Sequence, residues 1–365
     1  MNNLKIVLVV VVSILVLLAV TSFSQPKEEV VIGYFGPLTG PVANTTGESV
    51  FEAIKMANTK MSDVPIRIIF EDDGCVPAKA VTAAQKLINV DKVDILISGV
   101  CSGSTMAVAP LAEEKGIVLI SPVAATPALT TAGDYVFRLS ASSVAAGEAA
   151  SDLMVKKGFN RAVVLYENAE YTVGWKNALV GAFKNKGGLI LAEESFPPNS
   201  IDVRSQLTKL KRSSVEILIV AANSPATAIN VIKQAEELGV EFPIVGNEYF
   251  SFPDVYKNSH SIEVFATEYK YDLKSPQMSA FLDTYKETYQ RDVKQTIYGA
   301  LAYDVYSVLH DGIKECRVFS SDCLRDYLYG IKNYSGASGL FSVDKNGDTE
   351  RAFVLRRVVK GQMVE

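Results

Sequence analysis

Glu71-Asp72-Asp73-Gly74-Cys75, Gly99-Val100-Cys101-Ser102-Gly103-Ser104-Thr105 and Ser121-Pro122-Val123-Ala124-Ala125-Thr126-Pro127 punctuate one continuous stretch, 71–127. Between them run an amphipathic helix pattern over 78–89, an apolar strand over 93–99, a second helix, and an apolar strand over 117–121. Strands that are apolar on both faces and joined by helices belong to a parallel sheet covered on both sides. The cysteine pair brackets one such unit. The loops that leave its strands are rich in serine, threonine and glycine, the residues that hold a small anion with backbone amides at a helix N-terminus.

Working outward, the same period continues. Strands are expected over 30–35, 66–71, 93–99, 117–121 and 135–139. After a helix over 144–157 they resume at 162–166, 189–196, 216–221, 243–246 and 263–269, with helices between. The fold class is α/β, with two doubly wound parallel-sheet lobes. Beyond 270 the pattern changes to helices over 276–291, 298–314 and 321–331. Segments 339–344 and 352–359 then read as a hairpin around Lys345-Asn346-Gly347-Asp348, with Asn-Gly as its turn signal.

Lys5 precedes an apolar run over 6–20 broken only by Ser13, followed by the small polar stretch 21–25. Residues 1–24 read as a secretory signal peptide or an N-terminal membrane anchor, carried by residues 4–23. Either places the rest of the chain outside the cytoplasmic membrane, in the periplasm or on the extracellular face. The net charge of −5 argues against nucleic acid as a partner. Four cysteines in an exported chain read as two disulfides, Cys75 with Cys101 and Cys316 with Cys323. Free structural thiols are the alternative.

Several residues invite a chemical reading. Gly99-Val100-Cys101-Ser102-Gly103 has the spacing of a nucleophile elbow, with Cys101 at the nucleophile position. A Cys101-dependent hydrolase would need a histidine base, and His260 and His310 both lie far from this lobe's strand ends in sequence. With Cys101 oxidised, Ser102 and the amides after it offer an anion site worth roughly 0.3–2 kcal/mol from the helix dipole. Simple capping by Ser102 is the competing reading. Glu248 follows an apolar strand and Gly246, which turns it toward a cleft. The turn 344–348 carries its glycine at the wrong place for a calcium loop, and the histidines and cysteines lack zinc spacing. No metal, cofactor or catalytic residue is expected.

Taken together, the 71–130 motifs and the opening loop Gly36-Pro37-Leu38-Thr39-Gly40-Pro41-Val42-Ala43 resemble the leucine/isoleucine/valine-binding branch of the type I periplasmic solute-binding proteins of ABC importers. The resemblance runs from about 30 to 359. It implies a three-crossover hinge, with lobe 1 formed by 25–142 plus 270–338 and lobe 2 by 143–269 plus 339–365. It implies a non-enzymatic protein that captures an amino acid, or a related amide, and delivers it to an ABC permease. The ligand carboxylate would meet Ser102 and the backbone of Val123 and Ala125. Thr126 stands one place beyond the family threonine position, which is Ala125 here. Glu248 would hold the ammonium, and Tyr171 and Asn223 would close from lobe 2. The family's aromatic after the opening loop is replaced by Asn44-Thr45-Thr46, and Asn223 replaces another, so the pocket is expected to be more polar. A sensory ectodomain for amino acids or amides is the alternative assignment.

Overall fold

The computed structural model describes residues 29–211, 214–316 and 318–364. The expected signal or anchor segment lies outside them. The first sheet is built from β1 (Val30–Gly36), β2 (Ile66–Asp72), β3 (Ile95–Ser98), β4 (Val118–Ser121) and β5 (Val136–Arg138). Helices α1 (Glu48–Lys60), α2 (Pro77–Asn89) and α3 (Ser102–Lys115) connect its first four strands. All pairings are parallel, in the order β2-β1-β3-β4-β5. Every residue of β1, β3, β4 and β5 is buried, as a sheet covered on both faces requires.

The second half repeats the plan with α4 (Ser143–Lys156), β6 (Arg161–Glu167), α5 (Glu170–Asn185), β7 (Leu189–Phe196), α6 (Arg204–Leu210), β8 (Ile217–Ala221), α7 (Pro225–Glu237), β9 (Ile244–Gly246), α8 (Pro253–Tyr256) and β10 (Val264–Tyr269). Its parallel strands run β7-β6-β8-β9-β10, the same order as the first sheet. In each half the order reverses at the first strand, which opens a crevice beyond the strands' C-terminal ends.

The chain then returns to the first half. Helices α9 (Pro276–Tyr289), α10 (Thr296–Glu315) and α11 (Ser321–Gly330) follow, and α10 packs along α1. Next come β11 (Tyr334–Gly336), β12 (Gly339–Phe341), β13 (Phe353–Val359) and β14 (Gln362–Met363). Three passages join the halves, near 139–142, 270–275 and 342–352. Among the described residues no helix is long and apolar enough to cross a membrane.

The hairpin expected between 339–344 and 352–359 does not form. β12 pairs with β11, whereas β13 runs antiparallel to β10 and β14 on the second sheet. The Asn-Gly turn is real: Gly347 has φ +77°, and Asp344 Oδ1 accepts from the amides of Asn346 (2.8 Å) and Asp348 (3.0 Å). Across it run the Val343–Thr349 bridge and the bond from the Asp344 amide to the Asp348 carbonyl (2.8 Å). Its far flank is drawn away because Thr349 Oγ1 and Arg351 Nε both donate to the Leu139 carbonyl, each at 2.7 Å. The turn therefore staples two of the passages between halves instead of seeding a ladder.

Both expected disulfides form, and the described residues contain no free cysteine. Cys75–Cys101 closes a 26-residue separation, worth about 3 kcal/mol by restricting the unfolded chain.

Candidate functional site

The strand ends of the two halves face one another across a cavity of about 40 Å³. From the first half it is lined by Thr46, Val100, Cys101, Ser102, Val123 and Ala125. The opposite wall carries Tyr171, Asn223, Glu248 and Tyr249, with Tyr269 and Tyr298 closing the hinge side. Six of the seven residues expected to meet a ligand are thus brought together. A separate, larger space of about 520 Å³, with walls that include Pro77, Gly103 and Glu170, shares Cys101, Ser102, Tyr171 and Asn223 with it.

Ser102 begins α3, and no side chain caps that helix. The amides of its first turn therefore lack intrahelical partners, and no acidic residue sits in that turn. Ser102 Oγ accepts from the amides of Ala125 (3.1 Å) and Thr126 (3.3 Å), which leaves its proton to donate outward. One hydroxyl thus welds the β3 and β4 loops into a single surface. It also occupies the Ala125 amide, so that amide holds the loop and is not presented to a ligand. Ser121 Oγ reinforces the loop by accepting from the Ala124 amide at 3.0 Å. Asp73, buried beside Ser104, accepts from the Cys75 amide (2.8 Å), and burial pushes its carboxyl upward.

Cys101 is bonded to Cys75. A thiolate nucleophile is not available there, which overturns the hydrolase reading of the elbow.

Thr126 is the residue that the structure leaves out of the cavity. Its carbonyl accepts from the buried Arg138 at 2.6 Å, and its Oγ1 donates to Glu170 Oε1 at 2.9 Å. Glu170 opens α5 in the other half, so this bond crosses the cleft. At Gly174, one turn further, a Cβ would stand 2.7 Å from Pro127 Cδ. Only glycine lets the halves approach that closely. The cleft is shut.

On the second half, Glu248 lies just past β9 and is 7% exposed. The Tyr171 hydroxyl donates to its Oε2. No cation among the described residues pairs with it. Burial raises the Glu248 carboxyl above its ordinary range, offset in part by the Tyr171 bond. Burial and the neighbouring carboxylate together push the Tyr171 phenol well up, so it stays a donor. Asn247 fixes this wall by bonding the Ala222 carbonyl (2.8 Å) and the Tyr171 hydroxyl (3.3 Å) through Nδ2. Glu167, at the end of β6, accepts from the amides of Asn199 and Asn223, each at 2.9 Å.

The two walls of the cavity differ in chemistry. A helix end with free amides and a hydroxyl donor favours an anionic group. A buried carboxyl without a counter-ion among the described residues, on the opposite wall of the same cavity, favours a cationic one.

A family model described as periplasmic binding protein matches residues 29–362. The chain belongs to that family. It is similar to a leucine-, isoleucine-, valine-, threonine- and alanine-binding protein of Pseudomonas aeruginosa, 23% identical over 90% of this chain and 89% of that one. Among solved structures it superposes on a leucine-binding protein of Thermotoga maritima, 24% identical, with a TM-score of 0.82 over 92% of this chain and 97% of the other. It superposes equally on an ABC transporter solute-binding protein of R. palustris in complex with benzoate, 21% identical, TM-score 0.82 over 92% and 95%.

Sequence reasoning did not single out several residues of this binding protein's cavity. Tyr249, Tyr269 and Tyr298 are three of sixteen tyrosines, and nothing in their spacing marks them. Thr46 was legible only as the place of a missing aromatic. Glu167 and Asn247 act behind the wall; their one signal is that polar residues end strands that are otherwise buried.

Proposed function

We propose that this solute-binding protein captures a free amino acid between its lobes, outside the cytoplasmic membrane, and hands it to an ABC permease. The observation that carries the reading is Glu248: a buried carboxyl held by neutral donors, the Tyr171 hydroxyl first, with no cation among the described residues, and an uncapped helix N-terminus lining the same cavity. Leaving such a charge unpaired is costly, and a ligand ammonium removes the cost. The carboxylate would bind the Ser102 hydroxyl and the first amides of α3, with the Val123 backbone beside it. Tyr171 and Asn223 would close over the ligand from lobe 2, and contacts to both lobes would stabilise the shut form.

A relative in complex with benzoate suggests a simple aromatic acid instead. Such a ligand has no cation to set against Glu248, which favours the zwitterion. Calorimetric titration with the proteinogenic amino acids and with benzoate distinguishes them. Micromolar or tighter binding of an amino acid with no benzoate response is the expected result. Benzoate binding alone, or silence for every amino acid, would contradict the proposal.

A further inference from the structure

Of the buried side-chain polar groups without a hydrogen-bond partner among the described residues, Thr46 is the one that lines the cavity. Thr46 is 1% exposed, its Oγ1 has no hydrogen-bond partner among the described residues, and the residue lines the cavity. A buried hydroxyl left unpaired carries a desolvation cost, so its retention points to an acceptor or donor supplied from within the cavity. The turn that presents it is rigid. A Cβ at Gly47 would lie 2.5 Å from the Pro37 carbonyl, Lys294 Nζ donates to the Asn44 carbonyl at 2.9 Å, and the Gln295 amide donates to Ser49 Oγ at 3.0 Å.

Size points the same way. The enclosed cavity is small, about 40 Å³. The far side is sealed by rings in edge contact: Tyr269 on Tyr298 with centroids 6.0 Å apart, and Phe252 on Tyr298 at 6.3 Å. Behind that wall lies a second cavity of about 240 Å³, which shares Glu248, Tyr269 and Tyr298 with the first. Space for a longer side chain exists and is screened off by one layer of rings.

Building on the amino-acid reading, we infer that Thr46 and Tyr298 set its specificity for a short side chain bearing a hydrogen-bonding group, of the serine type, and exclude branched-chain and aromatic residues. Thr46 Oγ1 bonds the ligand's side-chain hydroxyl; Tyr298 limits its length.

The test is calorimetry with glycine, alanine, serine, leucine and phenylalanine on three proteins: the natural chain, Thr46→Val and Tyr298→Ala. The natural chain is expected to bind serine at least tenfold more tightly than leucine. Thr46→Val, which keeps the shape, is expected to weaken serine about 3–10-fold and leave alanine unchanged. Tyr298→Ala joins the two cavities and is expected to tighten leucine or phenylalanine at least tenfold. Leucine bound as well as serine by the natural chain, or equal losses for serine and alanine in Thr46→Val, overturns this inference and leaves the amino-acid reading standing. Silence for all five overturns this inference; silence for every proteinogenic amino acid overturns both.

Discussion

Two carboxylates are buried in this protein under nearly the same conditions and have opposite fates. Asp304, in the middle of α10, accepts from the amides of Ala337 (2.7 Å) and Ser338 (2.8 Å) and from the Ser338 hydroxyl. The buried guanidinium of Arg351 adds a favourable charge nearby. Glu248, at the cleft, has neutral donors, the Tyr171 hydroxyl first, and no cation among the described residues. Burial raises both carboxyls. The first is compensated by the protein itself and fastens the turn beside a passage between lobes. The second is left for something else to compensate. Burial and a raised pKa therefore do not distinguish a binding group from a structural one; the presence of a compensating cation does.

That contrast can be broken at either end. The largest expected effect is on stability: Asp304→Ala strands two amides and a hydroxyl, and should cost about 3 kcal/mol or more, read by urea unfolding of the empty protein. A loss below 1 kcal/mol would mean that Asp304 is no better anchored than Glu248. The next is on affinity. Glu248→Gln keeps an acceptor for Tyr171 and removes the charge, so amino-acid binding should weaken about 10–150-fold, the equivalent of 1.5–3 kcal/mol. The melting temperature of the empty variant at neutral pH should be unchanged or higher.

Acidity sharpens the same comparison. Glu248 has a folded-state pKa above its unfolded value, so its contribution to stability is full below about pH 4.3 and is lost as pH rises through the raised folded value. Binding runs the other way, because a ligand ammonium needs the carboxylate. Affinity should fall as pH drops through that raised pKa, by up to tenfold per unit, and Glu248→Gln should flatten the profile. A smaller effect belongs to the facing lobe. Ser102→Ala removes the hydroxyl that joins the two loops and donates to the anion, and should weaken binding about 3–12-fold.

The sequence revealed the repeated α/β order because parallel strands buried on both faces write long apolar runs, as in Val30–Gly36 and Ile217–Ala221. Ser102 and Glu248 were legible because each stands just past such a run, where loops meet ligands. Asn-Gly at 346–347 marked a turn correctly, yet not what its flanks would do. Their fate depends on Thr349 and Arg351 reaching the Leu139 carbonyl, more than two hundred residues away in sequence. Thr126 escaped for a similar reason: its partner Glu170 belongs to the other lobe. The tyrosine wall is set by three separate segments meeting, which no local pattern records.

The account rests on one ligand presenting opposite charges to opposite lobes. Its most direct test is titration with the preferred amino acid beside its N-acetyl and C-amide derivatives. Both derivatives should lose at least tenfold, the acetyl form because Glu248 is left unpaired, the amide because the end of α3 loses its anion. Retention of full affinity by either derivative would contradict it.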